Sequence, residues 1–280
     1  MNEREIKAII SLLDDPDTEI FNQLEERLVT AGPDVIPLLE ENWESSFDPL
    51  SQSRIENIIH KIQFDQIKYD LQFWDLKNSD DLLEGLLIIN RYQYPNLDEN
   101  NVLLTISELK RNAWFQLMYD MSPLEKVKLL NNVLFREFGL SGNTTNYHDP
   151  QNSFIHKVLE SKKGNPISLS CVYSIIAQQL DIPVYGINLP KHFIVAYIED
   201  TEQPPLFYIN AFNRGQVMHH NDIYSFLKQL NLPPNEEYTM PCTNKAIIKR
   251  VLRNLITAYE NIGSPQKKEE IDILLKIIED

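Results

Sequence analysis

The feature that most constrains this chain is the segment Gly164–Pro183. From Ile167 to Leu180 nearly every residue is apolar or small, so a helix here has no broad polar face and must be covered on most sides. Its ends are punctuated. Asn165 suits the N-cap and Pro166 the first helical position, where a missing N–H costs nothing; Asp181-Ile182-Pro183 stops it. A helix of this kind needs a layer on each side, and the sequence after it supplies strands. Gly186–Leu189, His192–Ile198, Leu206–Phe212 and Gln216–Met218 are short, rich in aromatic or branched residues, and separated by turn residues, as in an antiparallel sheet. The fold class expected is α+β, mainly helical, with a small antiparallel sheet beside one buried helix.

The flanks read as helices. Residues 1–75 alternate short amphipathic stripes (Ile6, Ile9, Ile10, Leu12, Leu13; Ile20, Phe21, Leu24, Leu28, Val29; Val35, Ile36, Leu38, Leu39, Trp43; Ile55, Ile58, Ile59, Ile62) with Asp-Pro and Gly-Pro breaks, a HEAT-like pattern that an ordinary helical cap on the next domain would also give. Residues 76–240 form the core region, entered by helices over 82–94, 102–119 and 123–138; Ser122-Pro123-Leu124-Glu125 is a capping-box start. Residues 241–280 make two helices around Gly263-Ser264-Pro265. With 8 glycines in 280 residues and no Gly/Ser-rich linker, the modules are expected to pack on one another.

Charge and cysteine usage narrow the functional classes. A net charge of −15 disfavours phosphate backbones and anionic lipid, so neither nucleic acid nor membrane is an expected partner. Cys171 and Cys242 cannot build a disulfide framework and lack metal-ligand spacing. His219 and His220 are adjacent and would point to opposite faces of a strand, and His148 and His156 stand apart, so no metal or other cofactor is expected. The charged start Met1-Asn2-Glu3-Arg4-Glu5 does not read as a signal peptide, and no apolar run approaches the roughly 20 residues of a membrane span. A reducing, cytoplasmic setting is the expectation.

The chemistry-bearing residues have the order of a thiol-type site, in which a nucleophile at a helix N-terminus meets an imidazole held by a third polar group. The helix is Asn165-Pro166-Ile167-Ser168-Leu169, the imidazole is His192, and Asn210 lies on a later strand. Together with Tyr147, Asp149-Pro150, Asn152-Ser153, Gly164, Leu189-Pro190 and Phe193, these residues resemble the transglutaminase-like superfamily over about residues 80–262, and within it the bacterial SirB-type branch. That resemblance implies a papain/transglutaminase-like core with a tetratricopeptide-like C-terminal tail. It places the superfamily's cysteine at Pro166, its histidine at His192 and its aspartate at Asn210. The branch's usual Asp-Pro-Phe is here Asn210-Ala211-Phe212, and a following glycine pair is Arg214-Gly215. Asparagine can still orient a neutral imidazole; proline has no atom with which to attack.

Two substitutes for the nucleophile stand nearby. Cys171 lies five residues into the helix, roughly 140° around and about 7.5 Å along from Pro166, and reads as core packing. Ser168 is in the first turn, where a hydroxyl ordinarily bonds the local backbone. Asn152 and Ser153 read as a cap on the helix that follows them; the resemblance makes them, with Pro166, candidates for lining a cleft. The reading preferred is a non-catalytic protein-interaction or regulatory module with an unidentified protein partner, basic in character. The alternative is a cysteine- or serine-dependent enzyme acting on amide or peptide bonds through His192 and Asn210, with Ser168 or Cys171 as nucleophile.

Overall fold

Asp-Pro and Gly-Pro breaks divide the N-terminal region into α1 (Glu3–Ile10), α2 (Thr18–Ala31), α3 (Ile36–Ser45) and the start of α4 (Pro49–Lys77). The structure, a computed structural model, describes residues 2–200, 203–233 and 235–279. Asp17 caps α2, its carboxylate accepting from the backbone N–H groups of Glu19 and Ile20 at 2.8 and 3.4 Å. Gly32, at φ +77°, makes the turn before Pro33, a backbone angle that an L side chain resists. The apolar stripes then close on one another: Ile6, Ile10, Leu13, Leu28, Leu39, Ile55 and Ile58 form a single buried cluster. Arg54 ties α4 to the turn between α1 and α2, donating to the carbonyls of Leu13 and Asp15 at 2.7 and 2.6 Å. This unit ends at Asp70, and a second begins at Leu71.

In the second unit Trp74, in the last turns of α4, is buried and donates its indole N–H to the carbonyl of Asp81 at 2.7 Å. Its ring lies against Gly85 of α5 (Leu82–Gln93), where a Cβ would stand 2.8 Å from two ring carbons. Gly85→Ala is therefore expected to destabilise the fold by about 1–2 kcal/mol in urea denaturation, overpacking outweighing the gain in helix propensity; a neutral or stabilising result would show that the tryptophan can move aside. Two further helices follow, α6 (Glu99–Gln116) and α7 (Pro123–Asn131), the latter opened by the Ser122/Glu125 capping box and continued as a π-turn through Glu137.

The core is built around α9 (Pro166–Gln178), in which every residue from Pro166 to Ala177 is buried. Before it come the short parallel pair β1 (Ser141–Gly142) and β2 (Lys163–Gly164), with α8 (Ile155–Ser161) between them. After it come β3 (Val184–Ile187), β4 (Ile194–Tyr197), β5 (Phe207–Asn210) and β6 (Gln216–Met218), an antiparallel meander in that order, in register Val195↔Ile209 and Ile209↔Val217. β4 is buried at all four positions, so its alternating sequence does not mark a wet face. α9 covers one side, while Ile194, Ala196 and Tyr208 pack with Ile223 and Leu227 of α10 (His220–Gln229). The result is α+β and mainly helical.

The last two helices, α11 (Asn244–Asn261) and α12 (Pro265–Glu279), pair as a hairpin. α11 also packs on α5, on α9 and on the 3-10 turn Pro150–Ser153. Gly186 permits this approach: a Cβ there would stand 2.8 Å from the Phe193 ring and 3.0 Å from Ile247 of α11. The tail is thus part of the same packed body as the sheet, which brings Arg250 of α11 beside the turn at His192.

Candidate functional site

The helix start is a closed polar knot. Asn165 is the N-cap of α9, its side-chain oxygen accepting from the Ser168 N–H at 2.9 Å. The Ser168 hydroxyl accepts from the Asn165 N–H at 3.1 Å and contacts the Asn165 carbonyl at 3.2 Å. Asn165 also donates through its amide to Ser153 Oγ at 2.9 Å. Gly164 is required beside it, because a Cβ would stand 2.6 Å from Ser168 Oγ. The Ser168 hydroxyl is therefore engaged in the cap, and Pro166, in the first helical position, is buried with no heteroatom of its own.

Asn152 and Ser153 do not cap the following helix, contrary to the local pattern. They close a 3-10 turn whose own cap is Asp149, and α8 begins after Phe154. Both are buried and serve as hubs instead. Asn152 accepts from Asn143 Nδ2 at 2.9 Å and donates to the carbonyls of Asn146 and Tyr147 at 2.7 and 3.1 Å. Ser153 holds Asn165. These bonds fix the 143–153 loop onto the start of α9.

His192 lies two residues before β4, not on the strand, in a turn where Lys191 has φ +61° and the His192 N–H donates to the Leu189 carbonyl at 3.2 Å. Its half-buried ring stands 6.1 Å from that of Phe226. Burial lowers its pKa; a polar contact with the Asn210 side chain partly opposes this, and the nearby Arg250 charge adds to the lowering. Asn210 ends β5 and caps the turn Ala211–Asn213, which packs on α9. The structure thus brings His192 and Asn210 together, with Arg250 beside them.

Cys171 is not in this group as an active thiol. It is 1% exposed, and burial raises its pKa far above that of a reactive cysteine, with the nearby Cys242 adding to the shift. Cys242 is pushed up to about 12, mainly by burial, although Arg250 opposes it. Arg250, from α11, had no signal in spacing or motif. It donates from Nη1 to Asn188 Oδ1 at 3.1 Å and to the Leu189 carbonyl at 3.5 Å, which pins the turn that carries His192. Among the described residues no group of three His, Cys, Asp or Glu side chains is placed to hold a metal ion, and no helix is long and apolar enough to cross a membrane.

A depressed imidazole pKa has a consequence for stability. The unfolded chain takes up a proton at His192 near pH 6.5 and the folded chain resists it, so stability is lost as pH falls from about 6.5 through the lower folded value. His192→Gln is expected to show a shallower loss than the native chain between about pH 7.5 and 5.5 in urea titrations. Equal slopes would mean that the ring is freely hydrated when folded.

A buried, amide-capped helix covered by an antiparallel sheet, with an imidazole at a strand entry and a polar partner on the next strand, defines a transglutaminase-like core. The sequence profile of the transglutaminase-like superfamily matches residues 100–253, more than half of the chain, and the chain belongs to that superfamily. It is 30% identical over 207 residues to a UPF0162 protein of Xylella fastidiosa (strain 9a5c), a match covering 70% of this chain and 72% of that one. A UPF0162 protein of Vibrio cholerae is 26% identical over 147 residues, 52% of this chain and 53% of its own. The human F-box only protein 21 is 28% identical over 156 residues, 54% of this chain but 23% of that longer protein. The chain therefore spans about half of the Vibrio relative and about a quarter of the human one. No solved structure matches it.

Proposed function

We propose that this chain is a non-catalytic transglutaminase-like protein that works by binding a protein partner. The observation that carries the proposal is Pro166 in the first position of α9, the place the superfamily gives to its cysteine, with the Ser168 hydroxyl engaged in the cap and Cys171 sealed in the core. With proline at that place, an imidazole beside Asn210 reads as a retained frame without a reaction. An exposed apolar run supports the binding half of the reading. Trp114, Phe115, Met118 and Tyr119, at and just past the end of α6, each expose more than half of their surface, as docking patches do. The net charge of −15 favours a partner with a basic surface. In F-box only protein 21 the similar segment is one part of a much longer chain, which is consistent with a portable module. Within this reading the chain belongs to the SirB-type branch, α11 and α12 form its tetratricopeptide-like tail, and residues 1–75 form a HEAT-like region.

The test has two arms on the intact chain. Incubated with glutamine-containing peptides and an amine acceptor, it is expected to release no ammonia and hydrolyse no peptide bond above a buffer control; turnover that disappears in His192→Ala would establish an enzyme. Affinity capture followed by mass spectrometry is expected to recover a basic protein that Trp114→Glu/Tyr119→Glu fails to retain. Recovery of no protein, or recovery unaffected by that double variant, would remove the support that the aromatic run gives.

A further inference from the structure

A cavity of about 730 Å3 opens between the C-terminal end of α5, the first turns of α6 and α8, and it shares no lining residue with the His192 site. Its size is that of a small-molecule pocket. One wall is His156, 8% exposed, whose Nδ1 is buried with no hydrogen-bond partner among the described residues. Buried polar nitrogens without partners are uncommon and call for an explanation. The ring is held edge-on to Tyr94, centroids 4.3 Å apart. Burial, with Lys157 adding to it, drives the His156 pKa down to about 4, so the imidazole is neutral at physiological pH. A sealed Nδ1 with no acceptor is less costly as a lone pair than as an N–H, which puts the proton on Nε2 and makes that nitrogen a donor.

The rest of the lining has the same character. Gln93 Oε1 already accepts from Tyr259 Oη at 2.9 Å and Lys267 Nζ at 2.7 Å, which leaves its amide N–H groups as donors. The charges at the rim are spent locally. Lys157 Nζ pairs with Glu160 at 2.7 Å, and Asp98 accepts from the Asn100 N–H and Asn101 Nδ2, each at 3.1 Å. Tyr94, Phe138 and Val102 provide apolar and aromatic surface.

We infer that this cavity is a binding site for an uncharged, carbonyl-bearing small molecule with an aromatic or apolar body, its carbonyl oxygen accepting from His156 Nε2–H and the Gln93 amide. Among the groups named here, Lys157 is paired with Glu160, Lys267 is held by the Gln93 oxygen over the Tyr259 ring, and Asp98 is engaged by two N–H donors, so an ion of either sign would have to compete with bonds already made.

Benzamide, benzoate and benzylammonium, titrated separately into the full chain at about pH 7, separate these cases. Ring signals of isotope-labelled histidine, with His156 assigned by its absence in His156→Phe, report binding. Benzamide is expected to shift the His156 signals saturably with a Kd on the order of millimolar, as suits so small a ligand. Benzoate and benzylammonium are expected to bind at least about tenfold more weakly, and His156→Phe to lose at least about tenfold in benzamide affinity. The proposal is overturned by unmoved His156 signals in the native chain at about 20 mM benzamide, by equal binding of either ion, or by unchanged affinity in a folded His156→Phe. If that variant does not fold, the order of the three affinities, read from whichever histidine signals move in the native chain, decides the matter.

Discussion

Alkylation of the native protein by iodoacetamide at about pH 8 is expected to run at least roughly 1,000-fold more slowly than alkylation of the same chain in urea. The thiolate is the reacting species, and an unperturbed cysteine with a pKa near 8.5 is about one-quarter thiolate at that pH. Cys242, with its pKa pushed up to about 12 by burial, has on the order of one part in ten thousand. Cys171 is shifted in the same direction and is almost wholly inaccessible, so its reaction waits for global opening. A superfamily cysteine at a helix N-terminus beside an imidazole would behave in the opposite way, its pKa lowered and its labelling fast. Intact-mass analysis should find no adduct on the native chain over a period that modifies two thiols in urea. Rapid single labelling at Cys171 would revive the enzyme reading and end the case for an inert frame.

That contrast rests on a part of the molecule that was legible from local chemistry. Asn165, Pro166 and Asp181-Ile182-Pro183 punctuate α9 through effects that operate within one turn, and the apolar continuity between them leaves burial on all sides as the only stable outcome. The four strands were readable for the same reason, although their ends shifted where turns intruded. His192, placed on a strand by alternation, stands before it because Lys191 takes up a left-handed turn conformation.

What escaped the sequence is what depends on distant segments. Asn152 and Ser153 carry ordinary capping residue types, yet they are recruited by Asn143, Asn146 and Asn165 instead of by their own helix. Arg250 reaches the His192 turn from a helix beyond the sheet, and neither spacing nor composition marks it among its neighbours. His156 sits within an apolar helical pattern that explains Phe154, Ile155 and Val158; only the fold shows that its ring is set edge-on to Tyr94 with Nδ1 buried and, among the described residues, without a hydrogen-bond partner. Local signals specified the frame. The polar groups that would give it a function were brought together by tertiary packing.

The cap of α9 is where frame and site coincide, and Asn165→Ala is expected to cost about 3 kcal/mol of stability. An ordinary exposed N-cap is worth about 1 kcal/mol, but this one is buried and makes two bonds. Removing its side chain leaves the Ser168 N–H without its acceptor at 2.9 Å and Ser153 Oγ without its donor at 2.9 Å, in a region nearly closed to water. Each buried group so orphaned costs about 1–3 kcal/mol. Ser153→Ala alone should cost less, because Asn165 keeps its bond to the helix. The two changes together should cost less than their sum, with a coupling energy of about 1 kcal/mol, since they share one bond. Urea unfolding of the four proteins completes the cycle. A loss below about 1 kcal/mol for Asn165→Ala would mean that water reaches the knot, and a channel to the start of α9 is what a working nucleophile would require.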